Sequence, residues 1–330
     1  MTRPSASPIA VWAGMIVLYL VWGSTYLGMK VAIGTIPPFV MGCFRFIPAG
    51  ILLSGVVLVR GRSTIARPSL AQVRDSAIVG GFLLIGGTGL VAWGEQTIPS
   101  GVAALLIGLM PMWLAIFGRV AYGERVHPLV AAGIAIGVLG IAILAWPVGG
   151  VGTLDPAGLL ALVIAPVLWA AGTLYAARRA VLPRPALFAT GIEMIAGGIG
   201  FGILALVTGE TTGFELAAVS ATSWFGIVYL VVVGSLIGFT TFAWLLTVAP
   251  LPRISTYAYV NPVVAVVLGW LIIGEPLTGR TVVAAVVITV AVVLIVTARG
   301  RAASAAQREA TAEREPEQPH VQAPAPSLEV

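Results

Sequence analysis

VAWGEQTIPSGVAALLIGLMPMWLAIFGRVAYGE at residues 91–124 and FAWLLTVAPLPRISTYAYVNPVVAVVLGWLIIGE at residues 242–275 are one pattern written twice. Trp93, Pro99, Pro111, Gly123 and Glu124 recur as Trp244, Pro250, Pro262, Gly274 and Glu275, each pair 151 residues apart with no gap. Gly87 and Gly238 keep the same spacing, and upstream Trp22 pairs with Trp169 at a slightly shorter one. So many identities in one register identify a duplicated unit.

The surrounding chain says what that unit is made of. Hydrophobic residues are 58% of the 330 and charged residues 9%, too little charge to coat a soluble surface of this size, which uses about 25%. Apolar runs of roughly 20 residues, the length that crosses the hydrocarbon core at helical rise, recur throughout. Read against the Pro, Gly and Arg punctuation, they predict ten spans near 10–33, 38–59, 76–95, 100–121, 128–146, 156–178, 185–208, 222–247, 252–273 and 280–298. The first run is too long for a signal peptide and has no small-residue cleavage site after it, so it is expected to stay in the protein.

Ten spans divided into two copies give five per copy. Five is odd, so the second copy enters from the opposite side. The expected fold is therefore an all-α polytopic membrane protein of ten transmembrane helices, arranged as two inverted five-helix repeats around a central cavity. The expected domains are a cytoplasmic N-terminus at 1–9, a first repeat at 10–147, a second at 154–299, and a disordered cytoplasmic tail at 300–330. That tail is rich in Ala, Glu, Gln, Pro and Arg and has little apolar surface to offset its ordering entropy. Inverted repeats are a recurrent architecture of secondary transporters, with the solute site between the copies.

Charge placement orients the chain. Arg3, Arg60, Arg62, Arg67, Arg74, Arg125, Arg178, Arg179, Arg184, Arg253, Arg299 and Arg301 fall on one side of the predicted spans. Asp155, Glu210, Glu215, Glu275 and only Arg280 fall on the other. By the positive-inside rule both termini are cytoplasmic and the protein belongs in the cell (inner or plasma) membrane. The net charge of +5 thus reflects orienting loops rather than a nucleic-acid partner. Cys43 is the only cysteine, so an intrachain disulfide is excluded, and two histidines, His127 and His320, are too few to build a metal site. No cofactor is expected. A phosphate-binding ending is absent after Gly23, and no catalytic constellation supports an enzyme.

The segments VWGSTYLGMK at 21–30, FRFIPAGILL at 44–53, PSGVAALL at 99–106 and STYAYVNPVVAVVLG at 255–269, with GER and GEP closing the fourth and ninth spans, resemble the EamA-type drug/metabolite transporters, most closely their YedA-like exporter branch. The similarity covers about residues 10–298. It implies a cavity lined by spans one, three, four, six, eight and nine, with five and ten at the periphery, and it implies no particular substrate.

Several residues are candidates for function. Pro111 and Pro262 fall mid-span, where a proline frees a carbonyl; they are candidate hinges, with a static kink as the alternative. Beside them, Met110 and Asn261 are candidate solute contacts, Asn261 offering both a donor and an acceptor. Trp22, Tyr26, Trp93, Trp113, Trp169 and Tyr257 supply aromatic surface. An interfacial belt accounts for many such residues, but Trp22 and Trp169 lie about mid-bilayer.

Charges inside spans cost about 2.5–3.5 kcal/mol each, which singles out Arg45 and Glu193. Arg45 either snorkels outward or answers an anionic group. Glu193 is the candidate for proton coupling or for a substrate amine, against a structural role. Lys30 is expected to snorkel at the outer end, and Glu95 to cap the next helix or gate the outer mouth. Glu124 and Glu275 are expected to favour the N-termini of spans five and ten. Gly133 and Gly137 have the small-xxx-small spacing of close helix packing or a homodimer face.

The expected function is that of a secondary transporter exporting small amphipathic or zwitterionic metabolites, such as amino acids or drugs, by alternating access. Its partners are the solute, the bilayer and a coupling proton or counter-substrate. A lipid scramblase or channel and, less readily, a membrane-embedded enzyme are the competing classes. The orientation is directly testable. In a Cys43→Ser background, an impermeant thiol reagent outside intact cells is expected to modify Thr212→Cys and to spare Arg67→Cys; the reverse pattern overturns it.

Overall fold

In the computed structural model, which describes residues 6–61, 65–146 and 154–312, every regular element is helical. Among the described residues, nine helices are long and apolar enough to cross a membrane: α1 Pro8–Ala32, α2 Pro38–Arg60, α3 Leu70–Gly94, α4 Ser100–Tyr122, α5 Pro128–Ala145, α6 Pro156–Arg178, α7 Ala186–Val207, α8 Ala221–Val248 and α10, whose apolar part is Gly279–Ala302. Between the last two lies α9, Tyr257–Ile273, apolar but shorter, preceded by a single turn at Leu251–Ile254.

Helix starts follow local chemistry. Ser7 accepts from the Ala10 amide at the head of α1, Ser69 and Gln72 form a reciprocal capping box on α3, Asp155 caps α6 and Ser220 caps α8. α4 and α9 stop alike. Gly123 and Gly274, 151 residues apart, hold φ of 67° and 66°, a left-handed turn that only glycine adopts without cost. Glu124 N–H then returns to the Gly118 carbonyl and Glu275 N–H to that of Gly269. That geometry is the physical content of the repeated Gly-Glu.

Four boundaries differ from the sequence expectation. α3 begins at Leu70 rather than near 76, because the Ser69 capping box carries the helix through polar Gln72, Arg74 and Asp75. α9 is interrupted at Ser255–Thr256, so the span expected from 252 is a short turn plus a helix. α4 is broken at Gly108–Leu109, placing Pro111 in the first turn of a new segment rather than mid-helix, where its missing N–H costs nothing. Finally, α10 runs on to Ala312, thirteen residues into the segment expected to be a tail. Its Ala-rich sequence has high helix propensity. Arg3, Arg62, His320 and the tail beyond Ala312 lie outside the described residues.

The helices pair in a regular way. α2 packs along α7, α5 along α10, α1 on α8 and α9, and α4 and α3 on α6, while the start of α4 lies against α9. From Ser100 to Ile107 every residue of α4 is buried, so this segment runs through the middle of the bundle. Apolar side chains such as Leu20 on α1, Ile203 and Leu206 on α7, and Val286 on α10 face outward, toward what in a membrane protein is lipid. Gly133, Gly137 and Gly140 of α5 are occupied within the chain: a Cβ at Gly133 would meet Ile295, and one at Gly140 would meet Ile288 of α10. Gly133 and Gly140 therefore seat α10, and Gly137 faces Leu109 and Met112 of α4, so these glycines serve close packing within the chain.

The α2–α7 contact is the most extensive, and glycine sets its closeness. A Cβ at Gly50 would lie 2.7 Å from the Gly191 carbonyl, and one at Gly198 2.9 Å from the Ile47 amide nitrogen, where backbone cannot move aside. Gly55, one turn on, faces open space. Gly50→Val is expected to destabilise by about 1–3 kcal/mol, read as a lower melting temperature in detergent. Gly55→Ala is expected to hold or raise it by up to about 1 kcal/mol.

Candidate functional site

Trp22 sits in an aromatic box. Its ring centroid is 5.1 Å from Tyr257 on α9, and 5.6 and 5.1 Å from Phe239 and Phe242 on α8. The Tyr19 and Thr256 hydroxyls meet at 2.5 Å beside it. The Asn261 amide completes the group, its nitrogen directed at the Tyr19 and Tyr257 carbonyls, 3.3 Å from each. Tyr26 and Tyr257 are half-buried. Glu193 on α7 has the same character.

The remaining aromatic candidates lie elsewhere. Trp169 of α6 packs its indole on α3 at Gly87, where a Cβ would come within 2.9 Å of the ring. Trp22 does the same to α8, where a Cβ at Gly238 would come 2.5 Å from its indole nitrogen. The two tryptophans and two glycines paired by the sequence repeat thus meet in crossed fashion, each indole on the other copy's glycine. Both glycines lie in or beside wide, π-type turns, Gly81–Gly89 in α3 and Leu230–Ile237 in α8. Such turns re-aim side chains and recur at functional sites. Trp93 and Trp113 are half-buried against the main core, Met110 is half-buried, and the Trp113 indole nitrogen is buried without a partner. Pro262 is inside α9, as expected, and Pro48 and Pro166, which the sequence reading passed over, are inside α2 and α6.

The charged residues are arranged differently from expectation. Arg45 does not snorkel: it is buried, donates to the Ser235 hydroxyl at 3.4 Å and lies 4.7 Å from the Phe46 ring. The turn that presents Ser235 is the wide one in α8, so the polar partner is nearer than water. Lys30 is also turned inward, its ammonium donating to the Glu95 backbone carbonyl and, at 3.3 Å, to that of Ile98. Glu95 itself caps nothing. It is fully buried and neither carboxylate oxygen has a hydrogen-bond partner. The ion pairs among the described residues are Arg74–Asp75 and Arg178–Glu124; Arg45 and Glu193 do not pair.

Glu275 does not serve α10. Its carboxylate accepts from the Ser100 amide at 2.7 Å, the Ser100 hydroxyl at 2.9 Å and the Gly101 amide at 3.2 Å, capping α4. Glu210 likewise accepts from the Phe39 and Val40 amides at 2.8 and 3.2 Å, capping α2. Burial pushes the Glu210 carboxyl above the usual carboxylate range, and the two amides pull it back. Both capped helices start behind a proline, Pro37 or Pro99, and have no side-chain cap of their own, so an acid from the second half of the chain supplies it.

The opposite end, where the arginines gather, is built otherwise. α7 and α9 also lack side-chain caps, and Glu124, the repeat partner of Glu275, pairs with Arg178 at 2.5 Å instead. His127 rather than Glu124 caps α5. Asp75 of α3 ties down the stretch after α6, accepting from the Val181 amide at 2.8 Å and the Tyr175 hydroxyl at 3.2 Å.

A cleft of about 560 Å³ opens sideways between α2 and α8, lined by apolar groups including Cys43, Ile47, Trp224 and Val231. It faces outward from the bundle, unlike the polar and aromatic group around Trp22.

The family model of the EamA-like transporters matches twice, at residues 9–146 and 156–297. The uncharacterised inner membrane transporter YedA of Escherichia coli (strain K12) is 35% identical over 272 residues, 82% of this chain and 85% of that protein. A probable terminal-alkyne amino-acid exporter of Streptantibioticus cattleyicolor is 29% identical over 277 residues, 81% of this chain and 86% of that one. One solved crystal structure superposes with a TM-score of 0.58 over 88% of this chain and 98% of its own, at 18% identity, a likeness of fold alone.

The cross-chain cap makes a measurable claim. Glu275→Gln weakens three hydrogen bonds at the head of α4, worth together about 1–2 kcal/mol. In the Cys43→Ser background, a thiol placed at the buried neighbour Ile98 is then expected to label several-fold faster from the acidic end. An unchanged rate means the cap does not hold that end shut.

Proposed function

This chain belongs to the EamA-like transporter family, and on that premise we propose that it is a secondary transporter exporting small amphipathic or zwitterionic metabolites by alternating access. The proposed body of the transporter is two inverted five-helix repeats, with α9 as the ninth span and the arginine-rich end cytoplasmic together with both termini. The family match to each half, the constant register of the repeat and the crossed Trp22–Gly238 and Trp169–Gly87 contacts support that arrangement. So does the pairing of helices: exchanging each of α1–α5 with its counterpart among α6–α10 turns α1 on α9 into α6 on α4, and α3 on α6 into α8 on α1. Such symmetry lets the two halves trade conformations at equal cost, which is what opening alternately to the two sides requires.

The observation that carries the solute class is the aromatic box of Trp22 with Phe239, Phe242 and Tyr257, next to Asn261 and within a bundle that holds few charges. An amphipathic solute lays its apolar body on the rings and offers its polar end to Asn261. Glu193, half-buried and in neither of the ion pairs among the described residues, is proposed as the carboxylate that answers the solute's amine. Pro262 and the broken turn at Pro111 are the proposed hinges of α9 and α4. The exporter described above carries an amino acid in its name, and the chemistry of the box suits such a solute better than a polyanion.

The test is counterflow in liposomes with the purified full chain, using a radiolabelled neutral amino-acid mixture and a sugar phosphate as control. Amino-acid load inside is expected to accelerate uptake, and sugar phosphate load is not. Trp22→Ala is expected to slow exchange about tenfold, the worth of ~1.4 kcal/mol, without reducing the amount inserted. Glu193→Gln is expected to raise the half-saturating concentration for amino acids and not for their amine-free analogues. Uptake indifferent to internal load indicates a channel and overturns the reading.

A further inference from the structure

Buried carboxylates are expensive unless paired, and Glu95 is unusual in this chain. It lies in the link between α3 and α4, fully buried, with neither oxygen hydrogen-bonded. Its neighbours Ile98 and Ser100 are fully buried too, while Gln96 and Thr97, between Glu95 and Ile98, are exposed, so the carboxyl lies just beneath the surface of the acidic end. The charged and titratable groups facing it come from three elements: Lys30 and Tyr26 from α1, Arg45 from α2, and Glu275 from the α9–α10 link.

The position of Lys30 is telling. Its ammonium donates to the backbone carbonyls of Glu95 and Ile98 and leaves both Glu95 carboxylate oxygens without a hydrogen bond. An ammonium next to an ionised, unpartnered carboxylate would take the carboxylate, since charge-assisted bonds are about twice as strong as those to neutral acceptors. Choosing carbonyls is the behaviour expected beside a neutral acid. Arg45 is likewise occupied with Ser235 and Phe46. The repeat register places Leu246 opposite Glu95, so the acid exists in one half only and the two ends of the protein are not chemically equivalent.

We propose that Glu95 is the proton-binding site of the transport cycle, ionised against Lys30 when the acidic end opens, protonated as that end closes, and deprotonated to the inner side before it opens again. This rests on the transporter reading above and on its orientation, which makes the acidic end the outer one. With the outer end open, the Glu95 carboxylate takes one proton from outside water. Lys30, released from it, moves onto the Glu95 and Ile98 carbonyls, and the neutral acid can be buried as α4 closes under its Glu275 cap. Tyr26 lies one turn before Lys30 on the same face of α1 and is half-buried. The proton leaves past its hydroxyl to the inner side, in exchange for solute carried outward. One proton enters for each solute exported, and no other reactant is needed. Glu193 is left with the solute's amine.

Two measurements on the full-length protein test this. In liposomes, with the radiolabelled amino-acid mixture as probe, an acid-inside pH gradient is expected to drive uptake by the wild-type chain. Glu95→Gln is expected to lose at least about tenfold of that gradient-driven uptake while counterflow stays within about twofold, and Glu95→Asp is expected to recover gradient-driven uptake. In the Cys43→Ser, Ile98→Cys background, outside labelling is expected to rise between pH 5 and pH 8, and with Glu95→Gln to stay low at both.

Glu95→Gln uptake that still follows the gradient overturns the assignment. So does loss of coupling in Glu193→Gln rather than Glu95→Gln, and so does equal loss of counterflow and gradient-driven uptake in both Glu95 variants. Wild-type counterflow with no response to the gradient overturns the proton site alone. Wild-type protein with neither response overturns the transporter reading with it.

Discussion

In lipid no hydrophobic force draws one apolar helix to another, so how near two backbones can come decides which helices stay together. In this protein the nearness comes from missing side chains at crossings. Gly50, Gly191 and Gly198 bring α2 onto α7, and Gly133 and Gly140 bring α5 onto α10. Gly238 and Gly87 receive the faces of Trp22 and Trp169. With those pairs in place, α4 is enclosed along its first two turns, and the polar groups that could not face lipid have somewhere to go.

Where they go differs between the two ends. At the acidic end, α2 and α4 begin behind prolines that cannot cap them, and Glu210 and Glu275 reach across from the second half to do so. At the arginine-rich end the corresponding helices have no such visitors, and Glu124 keeps Arg178 instead. Two copies of one pattern have therefore settled into unlike arrangements: at one end carboxylates of the second half cap α2 and α4, and at the other Asp75 and Glu124 of the first half hold the end of α6 and the stretch after it.

The aromatic box occupies the region between these ends. Trp22 approaches α8 closely because residue 238 has no side chain, and Tyr257 stands at the first turn of α9 because the helix is interrupted just before it. The box is a product of irregularities: a wide turn in α8, a break ahead of α9, a proline within it. Regular helices of the same composition would have carried the same rings to lipid.

Much of this was legible without coordinates. Apolar run length predicted spans because the hydrocarbon core has a fixed thickness, and the constant 151-residue register revealed duplication because identical turns need identical glycines and prolines. Trp22 stood out by its depth within its span and Asn261 as a donor and acceptor beside Pro262, which made both candidates. What the linear order of residues left open was every partner reached across the fold. Lys30 and Arg45 read as snorkelling because sequence gives the length of a side chain but not the carbonyl or hydroxyl nearest its tip. Glu275 read as serving the helix that follows it because a cap is ordinarily local, and only packing brings the head of α4 within its reach. Glu95 read as a cap for the same reason. Its burial and its neglect by Lys30 are properties of distance between helices, and those distances are set by tertiary contact alone.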